Sequence, residues 1–198
     1  MSQAGGRVIL AITGASGSIL GIRSLELLRS AGKEIHLIIS DAARQTISAE
    51  TNWTVAKLEA MANVCYDPKQ IGARIASGSF VTEGMLVVPC SIKTLSGIAN
   101  SYTSNLIIRA ADVCLKEGRK LILAVRETPL HAGHLRLMQQ AAENGAVIFP
   151  PVPSFYTKRQ TLDELVTDLA GRILLRMGIA NDAYSQWKGD ENLPVDRL

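Results

Sequence analysis

Arg126 and Glu127 follow the apolar run Lys120-Leu121-Ile122-Leu123-Ala124-Val125, which reads as a short strand. A guanidinium beside a carboxylate can hold an anion and move a proton. In open α/β sheets, ligands bind beyond the carboxyl ends of the strands. The same pair could equally begin a solvated loop. Gly14-Ala15-Ser16-Gly17 ends another apolar run and leads into a helical pattern, offering backbone N–H groups and a hydroxyl suited to phosphate. Its glycines at 14, 17 and 21 match neither the dinucleotide fingerprint nor a P-loop, and a close-packed turn would use the same residues. Ser91-Ile92-Lys93-Thr94 repeats the arrangement, with Ser91 as an N-cap. Two hydroxyl-rich turns on one edge suit a mononucleotide, and Lys93 either joins them or points to solvent.

Further candidates lie outside these turns. Arg109 and Lys116 stand seven residues apart on one helical pattern, hence on one face. With Arg126 they could surround a phosphate, since guanidinium forks match its oxygens; they could instead pair with Asp112 or Glu117. Phe155-Tyr156 after a proline-rich break could wall a pocket. Arg172 falls among apolar residues of the last helix, where an unpaired charge is costly, which calls for an anionic partner. Trp187 is either a packing anchor or a pocket wall. Cys90 reads as a small buried residue. His36, His131 and His134 do not form a metal set, and His36 reads as a strand residue with a satisfied ring.

These residues need a scaffold that brings strand ends together. Arg7 to Thr13, Glu34 to Ile39, Gly84 to Val88, Leu121 to Val125 and Ala146 to Phe149 read as five strands, most of them apolar enough to be covered on both faces. Helical patterns separate them, including Ala42 to Ala49, Ile92 to Ala99, Leu106 to Glu117 and His131 to Asn144, the last stopped by Gly145. Leu162 to Met177 closes the domain. Strands alternating with helices through short connections imply an α/β fold with a central parallel sheet. The segment from Glu50 to Phe80 is irregular apart from a helix at Val55 to Ala62. We read residues 1–180 as one domain and 181–198 as a tail packing on a neighbouring subunit.

The chain has 198 residues and a formal charge of +3, with basic residues interspersed among acidic ones, so a nucleic-acid footprint is missing. Three cysteines without a CxxC pair argue against a disulfide framework or zinc site. No run reaches membrane-span length and no apolar signal core precedes the first strand, so a cytoplasmic, reducing setting is expected.

The chain resembles the flavin prenyltransferases, the UbiX/Pad1 family, along its whole length. The matching stretches are Thr13 to Gly17, Ser77-Gly78-Ser79, Pro89 to Leu95, Asn105 to Val113 (Ile108 excepted), Leu115-Lys116-Glu117, Arg126 to Leu130 and Phe155-Tyr156. The resemblance implies a flavodoxin-like (Rossmann-like) three-layer sandwich and a homo-oligomer, commonly a dodecamer. It implies transfer of a dimethylallyl group from dimethylallyl monophosphate to N5 and C6 of reduced FMN, without a metal. The product, prenylated FMN, serves UbiD-type decarboxylases. By position, Gly14, Ala15, Ser16, Ser40, Ser91, Ile92, Lys93, Thr94 and Arg126 would contact FMN. Arg109, Lys116, Arg126, Tyr156 and Arg172 would hold the donor phosphate. Glu127 would be the acid/base group, Ser16 a proton relay, Glu50 a second carboxylate and Trp187 a wall of the prenyl pocket. Val125 replaces a common proline, and Ile19-Leu20 a common aromatic. Two other readings share this frame: an FMN-dependent cysteine decarboxylase, whose Asn-rich substrate motif is missing here, and a non-catalytic flavin carrier.

Overall fold

The computed structural model describes residues 5–187 and 189. Its centre is a six-stranded, all-parallel sheet in the order β3-β2-β1-β4-β5-β6. The strands are β1 (Arg7–Ile12), β2 (Glu34–Ile39), β3 (Val64–Tyr66), β4 (Gly84–Cys90), β5 (Lys120–Val125) and β6 (Val147–Ile148). Alternate residues of each central strand enter opposite cores. On one face Val8, Leu10, Ile12, Leu86 and Val88 pack under α1 (Ser18–Ser30), α2 (Asp41–Glu50) and α7 (Leu162–Met177). On the other, Ile9, Ala11, Met85, Val87, Leu121 and Leu123 pack under α4 (Ile92–Ala99), α5 (Leu106–Lys116) and α6 (Ala132–Glu143). The short α3 (Val55–Glu59) adds Leu58 to the first core.

The five strands expected from sequence are present, in the flavodoxin-like order once β3 is set aside. Strand β3 is a correction. Its three residues carry no apolar alternation, and pairing with β2 at the sheet edge organises them. The chain reverses its direction of travel across the sheet between β1 and β4, so their carboxyl ends flank a crevice.

Candidate active site at the carboxyl edge of the sheet

Thr13 ties the two strand ends beside that crevice together. Its buried hydroxyl donates to the Pro89 carbonyl at 2.7 Å and accepts from the Ser91 N–H at 2.8 Å. Sequence reasoning gave Thr13 no separate role; a hydroxyl closing an otherwise apolar strand was the available signal. Ser91 caps α4 by accepting from the Thr94 N–H at 3.3 Å, as the sequence implied, and Ser40 caps α2 through Ala43 at 3.1 Å. Gly14 permits the first turn to lie against α2, because a Cβ there would stand 2.3 Å from the Ala42 Cβ.

Around these turns opens a cavity of about 340 Å³. Gly14, Ser40, Ser91, Lys93 and Thr94 line it, with Ile107 and Ile108 of α5 as an apolar wall. Pro68 and Lys69 also reach it and were not singled out by the sequence reading, and Asn105, which opens one of the matching stretches, reaches it too. Cys90 is fully buried, and burial pushes its thiol up to about 12, so it is no nucleophile at neutral pH. Ala15 is buried next to the crevice, whereas Ser16 is exposed.

The Gly14–Gly17 turn is not an open anion site. Glu50, at the end of α2, turns its carboxylate onto the start of α1 and accepts from the Gly17 N–H at 2.9 Å, the Ser18 N–H at 3.0 Å and the Ser18 hydroxyl at 2.9 Å. Burial alone would raise the Glu50 carboxyl. Hydrogen bonds from Ser16, Ser18 and Gly17 outweigh that and hold it below the ordinary 4.5. An ionised side chain thus occupies the helix terminus where the sequence suggested phosphate.

Gly17, at φ 93°, supplies a second closeness: a Cβ there would meet the Arg126 Cδ at 3.3 Å. Arg126 therefore lies across the first turn, bringing the ends of β1 and β5 together. Glu127 is exposed and accepts from the Thr128 N–H at 2.9 Å. Beside it, Val125 to Thr128 and Pro150 to Val152 enclose a smaller cleft of about 170 Å³.

Farther along, Tyr156, Tyr184 and Trp187 form an aromatic group. The Tyr156 and Tyr184 hydroxyls are 2.7 Å apart, and the Tyr156 and Trp187 rings meet edge to face at 5.3 Å. Residues 181–187 fold back on α7 of their own chain. Asn181 donates to the Gly171 carbonyl at 3.0 Å, and Asp168 bonds both Arg159 and the Ser185 N–H. The rest of the tail, expected on a neighbouring subunit, lies outside the described residues apart from Gly189.

Two expectations need correcting. Arg172 is exposed, with no carboxylate partner among the described residues; its guanidinium lies over the Phe149 and Tyr184 rings at 5.9 and 5.7 Å. Its place on α7 turns it outward rather than into the core, and its guanidinium rests on aromatic faces. Lys116 does not join Arg126 within one chain. Arg109 pairs with Asp112 at 3.1 Å, and Lys116 with Glu117. Lys116 ends α5 just before β5 begins, whereas Arg126 follows its other end, roughly 20 Å away at strand rise. Among the described residues there is no cluster of three or more groups able to hold a metal.

The family profile described as Flavoprotein matches residues 2–173. The flavin prenyltransferase UbiX of Escherichia coli K12 is 54% identical over 92% of this chain and 98% of its own. The solved structure of AnUbiX (PadA1), in complex with FMN and dimethylallyl pyrophosphate, superposes with a TM-score of 0.92 at 42% identity, covering 94% of this chain and all of that one. A dodecameric FMN-dependent UbiX-like decarboxylase from Escherichia coli O157:H7 superposes with a TM-score of 0.90 at 41% identity, over 92% and 100% of the two chains.

Proposed function

The chain belongs to the flavoprotein family and, within it, to the flavin prenyltransferases; on that premise we propose that it joins a dimethylallyl group from dimethylallyl monophosphate to N5 and C6 of reduced FMN. The observation that carries this reading is the meeting of four strand ends on one edge. The Gly14 turn, Ser40 and the Ser91 turn line one crevice, and Arg126 lies against Gly17 of the first turn while lining the second cleft. The residues present fit FMN. Hydroxyls at Ser40, Ser91 and Thr94 and the Lys93 ammonium suit the phosphate and sugar chain, and Ile107 and Ile108 suit a flat ring. Ala15, Ser16 and Ile92 adjoin the same turns. Reduced flavin supplies the nucleophilic ring positions; no metal enters the reaction.

The protein's own part is electrostatic and steric. Breaking the allylic C–O bond leaves phosphate, so fixed cations lower the barrier. Arg126 lies between the crevice and the second cleft and can touch both flavin and donor. Tyr156 and Arg172 offer a phosphate a hydroxyl and a guanidinium, and aromatic walls such as Trp187 tolerate an allylic cation. Glu127, exposed beside the small cleft, can donate a proton to the leaving phosphate and accept the one lost on ring closure. Glu50 keeps the α1 terminus filled and holds Ser16, which can relay a proton.

Arg109 and Lys116 enter this scheme from a second copy of the chain. Each has a carboxylate neighbour in one chain, and Lys116 lies at the wrong end of β5 to serve its own Arg126. A homo-oligomer, a dodecamer by analogy with the Escherichia coli O157:H7 protein, would let those cations approach a neighbour's crevice. The product, prenylated FMN, passes to a UbiD-type decarboxylase, and three free cysteines accord with a reducing cytoplasm. No described helix is long and apolar enough to cross a membrane.

The experiment is to follow release of inorganic phosphate or pyrophosphate from the dimethylallyl monophosphate and pyrophosphate esters, anaerobically, with and without reduced FMN. Release from the monophosphate that requires reduced FMN is expected. A clear preference for the pyrophosphate overturns the donor assignment, and release indifferent to flavin overturns the reaction.

A further inference from the structure

We infer that Tyr184 is a positioning residue for the donor phosphate, acting through Tyr156 and Arg172. This rests on the reading that those two residues bind that phosphate.

Tyr184 touches both. Its hydroxyl lies 2.7 Å from that of Tyr156, and its ring lies under the Arg172 guanidinium at 5.7 Å. The Tyr156 hydroxyl also points to the Ser185 carbonyl at 3.5 Å. A hydroxyl carries one proton, so Tyr156 can donate to Ser185 only while accepting from Tyr184. With the Tyr156 proton on Ser185, the chain of donation runs from Tyr184 to Tyr156 to Ser185. The weak, long bond to Ser185 is the one an arriving phosphate oxygen can replace. Tyr156 then donates to the phosphate while still accepting from Tyr184, and hydrogen bonds in such a chain strengthen one another. The hydrogen bond with Tyr156, and then burial, push the Tyr184 phenol up, so it keeps the proton this chain needs.

Tyr184 is itself held in place. Ser185 is anchored by the Asp168 carboxylate, which is 2% exposed, and by Arg159 at 2.8 Å. Asn181 grips the Gly171 carbonyl, and Gly171 leaves room for this segment, since a Cβ there would stand 2.9 Å from the Tyr184 nitrogen. The segment thus presents one hydroxyl to Tyr156 and one ring face to Arg172. Its sequence alone gives no period or motif that would single Tyr184 out.

The test is a double-mutant cycle on the full-length protein with reduced FMN bound, measuring kcat and KM for dimethylallyl monophosphate. Tyr184→Phe removes the hydroxyl and keeps the ring. It should raise the donor KM by about 2- to 10-fold, the worth of one net hydrogen bond, with kcat, FMN affinity and melting temperature unchanged. Tyr184→Leu also removes the ring under Arg172 and should raise KM further. On a Tyr156→Phe background, Tyr184→Phe should add nothing. A silent Tyr184→Phe, or the same shift in both backgrounds, overturns the inference while leaving Tyr156 in its role. If Tyr156→Phe itself leaves the donor KM unchanged, the reading beneath it fails and Tyr184 loses its role with it.

Discussion

The carboxyl edge of the sheet has two halves built by different means. Beside β1, β2 and β4, backbone and short side chains do the positioning. Thr13 joins two strand ends, Ser40 and Ser91 cap helices, and Glu50 fills the start of α1. Beyond β5 and β6, long and exposed side chains project from loops: Arg126, Glu127, Tyr156 and Trp187, the last 63% exposed. The hydrogen bonds that shape the first half close within one chain. The second has open aromatic surface, and two of its expected cations lie elsewhere in the subunit. Rigid, internally bonded loops suit a flavin bound in one orientation. An open region suits a donor that must enter, react and leave as phosphate.

This contrast can be broken by separating flavin binding from chemistry. The largest effect should come from Glu127→Gln, which keeps shape and removes the proton-transferring group. Turnover should fall by about 100- to 10,000-fold, while titration shows FMN binding unchanged. Next is Lys116→Ala, expected to lower turnover about 10- to 100-fold through a lost charged hydrogen bond. Oligomers reassembled from equal amounts of the Glu127→Gln and Lys116→Ala chains should regain about a quarter of wild-type activity, because each closed-symmetry contact can pair two intact groups. Failure to regain activity would place both residues in one subunit's site and erase the difference between the halves.

Thr13→Val sharpens the comparison from the flavin side. The Ser91 N–H loses its partner and the Pro89 carbonyl keeps only the Thr13 N–H at 3.2 Å, so unfolding by urea should show a loss of about 1–3 kcal/mol, with weakened FMN affinity and little change in donor KM. Thr13→Ser should restore both. The smallest effect concerns Glu50. Its folded carboxyl lies below the ordinary 4.5, so its stabilisation is complete above that value and fades as pH falls through the lower, folded value. Melting temperature measured against pH should therefore lose part of its acid dependence below about 4.5 in Glu50→Gln.

The two halves also differ in how far the sequence discloses them. Strands such as Val8 to Ile12 and Met85 to Val88 are apolar on both faces, and Ser91 stands where an N-cap must. The flavin half follows from such local rules. β3 escaped because three edge residues have no period of their own. Thr13 was visible only as a residue type, since its partners lie 76 and 78 residues away. Beyond β5, spacing put Arg109 and Lys116 on one helix face, but only the direction of β5 reveals that Lys116 stands at the strand end opposite to Arg126. Arg172 misled because its neighbours in sequence are buried while the residue itself faces outward.

The most direct measurement is the mass of the flavin recovered after the protein is incubated, without oxygen, with reduced FMN and dimethylallyl monophosphate. On the prenyl-transfer reading, FMN heavier by one five-carbon unit is expected from the wild-type protein and unmodified FMN from Glu127→Gln. Recovery of unmodified FMN from a wild-type protein that has bound both compounds would contradict it.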